Sequence, residues 1–211
     1  MRAPSPPICL LALIALGGSC ASAAELFNGR DFTGWEFVSV PAKDIREVCR
    51  ILPEGVIAAA GQPIGYLATT SRHQNFRLHA EWRWPDKAGN GGILVHISSG
   101  PKDRAWPLCL QIQTKHGAAG DLLPMAGAGF AEPLADGQKT PQHPHTAPDS
   151  EKPAGEWNTC DIVCRGDQVE VSINGVRQNR VTAEHPSAGG IGFQFEGTAF
   201  ELRHVTLEPL E

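Results

Sequence analysis

The chain has 211 residues, with 18 Lys and Arg against 23 Asp and Glu, for a net charge of −5. That acidic balance, with no basic cluster and no basic stripe interleaved with aromatics, excludes a nucleic acid as the natural partner. The length suits one domain with a sizeable core, and past the N-terminus no apolar stretch is long enough to span a membrane.

The first element is a secretory signal. Arg2 gives a positive start, Ile8 to Leu16 form an apolar run too short to span, and Ala21-Ser22-Ala23 supplies the small-residue cleavage site. Residues 1–23 are therefore expected to be removed, leaving a secreted or periplasmic domain over 24–211. Cys20 leaves a lipoprotein variant open. Of the six cysteines, Cys49, Cys109, Cys160 and Cys164 lie in the domain. An oxidising compartment permits two disulfides among them, and buried free thiols fit equally well.

Gly and Pro together make up 40 residues, and the runs between them have a period of two. Phe76 to Trp84 alternates, with Phe76, Leu78, Ala80, Trp82 and Trp84 on one face and Arg77, His79, Glu81 and Arg83 on the other. Strands follow at Ile93–Ile97 and Leu108–Thr114, the latter carrying Gln111 and Gln113 on one face. Residues 117–155 lack a period and read either as a long loop over the ligand face or as a disordered segment. Asn158–Arg165 and Gln168–Ile173 form a hairpin through Gly166-Asp167. Asn174-Gly175 suits a type I′ turn into the next strand, and Gly190–Phe195 and Ala199–Leu207 complete the set. No segment of the domain holds ten residues of helical period. The pattern predicts an all-β sandwich or barrel.

Polar pairs two residues apart on such strands must be solvated, paired or turned to a ligand, because a buried unpaired group costs about 1–3 kcal/mol. Glu81 with Arg83, Gln111 with Gln113, and Gln194 with Glu196 are three such pairs. Carboxylate, amide and guanidinium groups on one face would suit sugar hydroxyls, which donate and accept. Trp82 and Trp84 fit the core, whereas Trp106, beside Pro107 at a strand entrance, is placed to meet a ligand. His96 follows the Asn90-Gly91-Gly92 bend and shares the face of Leu94 by alternation; it is either structural or a base or metal ligand.

The segments Glu25-Leu26-Phe27-Asn28-Gly29-Arg30-Asp31 with Gly34-Trp35, and Asn90-Gly91-Gly92-Ile93-Leu94-Val95-His96, resemble motifs of the 3-keto-disaccharide hydrolase domain family. The resemblance continues in order through Trp106-Pro107, Gln111 with Gln113, Ala119-Gly120-Asp121, Lys152-Pro153, Gly155-Glu156-Trp157-Asn158, Asn174-Gly175, Ile191 to Gly197 and Glu201-Leu202-Arg203. It implies a concanavalin A-like jelly-roll sandwich of two antiparallel sheets, with a carbohydrate ligand on one concave sheet. It also implies cleavage of glycosides oxidised to a ketone at sugar C3, which an upstream sugar dehydrogenase would supply.

Carried over by position, the resemblance makes His96 and Glu196 candidate acid or base, with Arg83 or Lys115 steadying the developing oxyanion. A divalent cation is the alternative for that last role, and no other cofactor is implied. Glu81, Gln111, Gln113 and Asp121 would position the sugar or hold that ion, and Asn90, Trp106 and Gln194 would add contacts to the sugar. The chain departs from the family at Gln111, where Glu is usual, and at His204, where Asn is usual. A glutamine cannot ionise, so the first departure opens a second reading: a carbohydrate-binding module without turnover.

Overall fold

A computed structural model describes residues 22–134, 138 and 141–211. Fifteen strands follow one another: β1 (Ala24–Glu25), β2 (Trp35–Ser39), β3 (Cys49–Ile51), β4 (Ile57–Ala59), β5 (Gly65–Thr69), β6 (Phe76–Arg83), β7 (Gly92–Asp103), β8 (Trp106–Gln113), β9 (Leu122–Met125), β10 (Gly129–Phe130), β11 (Asn158–Arg165), β12 (Gln168–Ile173), β13 (Val176–His185), β14 (Gly190–Phe195) and β15 (Phe200–Pro209). A single α-helical turn, α1 (Ile45–Val48), is capped by Asp44, whose side chain accepts from the backbone N–H of Arg46.

The strands form two antiparallel sheets. A nine-stranded sheet runs β10-β13-β12-β11-β6-β15-β4-β3 with β1 beside β15, and a six-stranded sheet runs β2-β5-β14-β7-β8-β9. This is a jelly-roll sandwich. Phe76, Leu78, Ala80 and Trp82 of β6 meet Ile93 and Val95 of β7, Leu110 and Ile112 of β8, and Ile191, Phe193 and Phe195 of β14 in one core. Strict alternation then sends the intervening residues of each sheet outward, in opposite directions. The turn at Asn174-Gly175 has positive φ at both residues, 50° and 79°, as a type I′ hairpin requires.

Two details differ from the expectations. The four domain cysteines are all free and buried. Burial pushes the Cys49 thiol up to about 12 and the other three upward as well, so all four stay protonated and act as small apolar side chains. The stretch 117–155 is not without regular structure. It supplies β9 to the edge of the six-stranded sheet and β10 to the edge of the other, then returns along the side of the sandwich. Asn179 on β13 fixes that return, its amide donating to the carbonyls of His143 at 2.8 Å, Pro144 at 3.2 Å and Gly120 at 3.3 Å. One amide thus ties three carbonyls of the returning segment to β13. The expected signal falls on residues 1–23, nearly all of which lie outside the described residues. Among the described residues no helix is long and apolar enough to cross a membrane.

Candidate active site

Strand register arranges the outward face of the six-stranded sheet in rows. Val38 pairs with Tyr66, Tyr66 with Gln194, and Gly92 with Gln113. Because Phe193 pairs with Ile93, Gln194 falls beside Gly92, giving the row Val38, Tyr66, Gln194, Gly92 and Gln113. Asp121 extends it, since its carbonyl accepts from the N–H of Gln113 at 2.8 Å. The next row toward the turn, by the same alternation, is Glu196, Asn90 and Lys115; the bond from Thr114 N–H to Gly91 O at 3.1 Å holds that register.

The glutamine row is enclosed. Gln111, Gln113 and Gln194 are each under 10% exposed, and Leu94 and Cys109 on the same face have no exposure at all. A side chain at Gly100 of the β7–β8 hairpin would lie 2.9 Å from the Tyr66 hydroxyl, so the hairpin arm reaches the Tyr66 end of the row. Its tip carries Arg104 and Trp106 to Glu196. The hairpin arm, Ser98 to Pro107, thus borders this face at Tyr66 and at Glu196.

On this face, Gln111 donates to Gln113 Oε1 at 3.2 Å, which also accepts from the Lys115 N–H at 3.2 Å. The Gln111 amide fills the space above Gly92, where a Cβ would come within 2.8 Å of it. Two acceptors nearby have no partner although fully enclosed: Gln194 Oε1 and Asn90 Oδ1. A buried acceptor left open costs about 1–3 kcal/mol, so a water or ligand hydroxyl is the physical complement to both.

An open pocket of about 480 Å³ remains at the hairpin tip, lined by Val40, Ile64, Arg104, Ala105, Trp106 and Glu196. Burial pushes the Glu196 carboxyl above its ordinary value, while the Lys115 ammonium and Arg104 guanidinium pull it part of the way back. A carboxylate raised in this way and flanked by cations has the character of a proton acceptor next to an oxyanion site.

His96 does not join this face. A bulge in β7 gives it a φ of 56° and turns it inward after Val95, against the Phe76 ring at 5.6 Å between centroids. Its Nδ1 lies 3.2 Å from Pro186 O and its Nε2 3.2 Å from Gln74 O, and the residue is 1% exposed. Burial holds its pKa below the ordinary imidazole value. Alternation placed His96 with Leu94; the bulge breaks alternation.

Glu81 and Arg83 also lie elsewhere, on the outer face of the nine-stranded sheet. Arg83 pairs with Glu201 at 2.6 Å and Arg203 with Glu81 at 2.7 Å, and both guanidinium groups stack on Trp157, at 4.6 and 4.1 Å from its ring centroid. His204, with a φ of 46°, turns outward beside Arg203 and bonds Glu81 at 2.9 Å. The whole core separates these residues from the glutamines, so the six side chains expected on one face divide between two. Asp121 is buried at the sheet edge, bonded by His145 Nδ1 at 2.6 Å, the His145 N–H at 2.7 Å and the Gln142 amide at 2.5 Å.

Tyr66 in the row and Val40, Ile64 and Arg104 in the pocket wall are neighbours that sequence reasoning did not find. Only the pairing of β5 with β14 and the fold of the hairpin bring them there. Among the described residues no three His, Cys, Asp or Glu side chains converge, and the charged neighbours of Glu196 are the cations Lys115 and Arg104.

Comparison with known proteins agrees with this architecture. A protein from Parabacteroides distasonis, provisionally described as a glycosyl hydrolase, is 23% identical with a TM-score of 0.66, covering 90% of this chain and 94% of that one. The carbohydrate binding module CBM66 of Bacillus subtilis is 12% identical, with a TM-score of 0.59 over 84% and 97% of the two chains. LamAcat of Zobellia galactanivorans is 11% identical, with a TM-score of 0.59 over 90% and 98%. At these identities the likeness is one of fold. No curated protein sequence matches the chain. The model of the 3-keto-alpha-glucoside-1,2-lyase-like domain matches residues 22–208, nearly the whole described chain, and the protein belongs to that family.

Proposed function

We propose that the protein cleaves 3-keto-glycosides in the pocket at the tip of the β7–β8 hairpin, with Glu196 as the base. Family membership supports the substrate class. The observation that carries the assignment is the Glu196 carboxyl, raised by burial and flanked by Lys115 and Arg104.

A C3 ketone acidifies the proton on C2. Glu196 takes that proton, and the electron pair left on C2 delocalises onto the C3 oxygen, where Lys115 or Arg104 offsets the charge. The enediolate then re-forms the ketone and expels the C1 substituent, leaving a C1–C2 double bond; the protonated Glu196 returns the proton to the departing oxygen. Water adding across the double bond completes a net hydrolysis. Export to a secreted or periplasmic location, where an upstream dehydrogenase could supply the keto-sugar, belongs to the same proposal.

The second reading, a binding module, is favoured by Gln111, because Glu196 is the one ionisable acid lining the pocket. A chromogenic 3-keto-glucoside separates the two. Glu196→Gln is expected to lower kcat by at least about 100-fold while sugar binding persists. Wild-type protein that binds the sugar without turning it over would sink the enzyme reading.

A further inference from the structure

The pocket wall differs from the rest of the candidate site. Of its six lining residues only Arg104 and Glu196 are polar, and both lie on the side of the chemistry; Val40, Ile64, Ala105 and Trp106 form the remainder. Val40 is 63% exposed and Ile64 45%, two of the four large hydrophobic side chains left exposed among the described residues. They come from different loops, one following β2 and one preceding β5, and converge on the same opening. Isolated exposed apolar residues are ordinary, but two from separate loops beside a half-buried carboxylate form a surface that water covers poorly.

We propose that this wall is the aglycone subsite, and that the protein acts on glycosides whose leaving group is an apolar ring, such as an aryl alcohol, in preference to a second sugar. The inference rests on the function proposed above. The pocket volume of about 480 Å³ suits one or two rings, not a polymer chain. A second sugar would bring several hydroxyls against Val40, Ile64 and Ala105, which offer them no side-chain hydrogen bond, whereas an aryl group loses nothing there and can pack on Trp106. An aryl alcohol also leaves C1 more readily, needing less proton donation from a site with a single acid.

Calorimetric binding tests the subsite independently of turnover, with 4-nitrophenyl glucoside and trehalose, neither of which carries the C3 ketone. Wild-type protein is expected to bind the aryl glucoside roughly tenfold tighter. The double variant Val40→Ser/Ile64→Ser, at two exposed positions that leave the core intact, is expected to lose about that factor for the aryl glucoside and nothing for trehalose. Equal wild-type affinities, or equal losses for both sugars, would overturn the subsite. Aryl-selective binding without turnover of any keto-glycoside would leave the subsite standing and defeat only the enzymatic reading.

Discussion

Glu196 shows how much chemistry one position can draw from its neighbours. Its charged form is disfavoured by burial and only partly recovered by Lys115 and Arg104. As a base it works deprotonated, so kcat/KM for a keto-glycoside should rise with pH through a value above the ordinary carboxylate range and then level off; a profile flat down to pH 4 would argue against it. The sign for stability is the opposite. A carboxyl whose folded pKa is raised contributes most below its unfolded value, and that contribution is lost as pH rises through the folded one. Glu196→Gln should therefore keep or slightly raise the Tm at neutral pH, separating lost chemistry from lost folding. The sequence singled out Glu196, Lys115 and Trp106, but it could not rank Glu196 above His96. Both sit on alternating strands, and only burial and the direction of each side chain distinguish them.

At the scale of the element, the bulge in β7 has the larger consequence. Sending both Val95 and His96 inward restores the outward phase at Ile97, whose side chain covers the space a Cβ at Gly192 would take, 2.8 Å away. Beyond the bulge the hairpin is free to leave the plane of the sheet and fold back over Tyr66. His96→Ala would remove the ring N–H donated to the carbonyl of Gln74 or of Pro186 and open space beside Phe76, at a cost of about 1–3 kcal/mol. Urea denaturation should show that as a lower midpoint, with a further loss of affinity at the hairpin-bordered site if the bulge relaxes. An unchanged midpoint would mean that the imidazole is dispensable to the bulge. A parallel irregularity at His204 in β15 has the opposite sense, turning a second residue outward toward Glu81. Period-two reading located these strands well, because burial of one face enforces the alternation. It failed at both histidines because a bulge shifts phase without altering composition.

For the molecule as a whole, the sandwich needs its open edge closed as well as its core filled. Residues 141–158 perform that closure through Asn179, through Gln178, whose amide donates to Ser150 Oγ at 2.8 Å, and through Thr146, whose hydroxyl donates to Gln178 O at 3.0 Å. Asn179→Ala should destabilise the fold by about 1–3 kcal/mol, and hydrogen exchange should show β9 loosening before the β6 and β11 core. Uniform exchange across both sheets would contradict that order. The sequence by itself determined the all-β class, most of the long strands and most of their inward residues, because apolar alternation and turn chemistry are local and burial of one face fixes the phase. The assignment of Glu81 and Arg83 to one outer face and of the glutamines with Glu196 to the other was decided only by the tertiary structure. Each polar pair reads identically along its own strand, and the side of the core it occupies depends on which sheet the strand joins, a choice made by pairings between residues far apart in the chain.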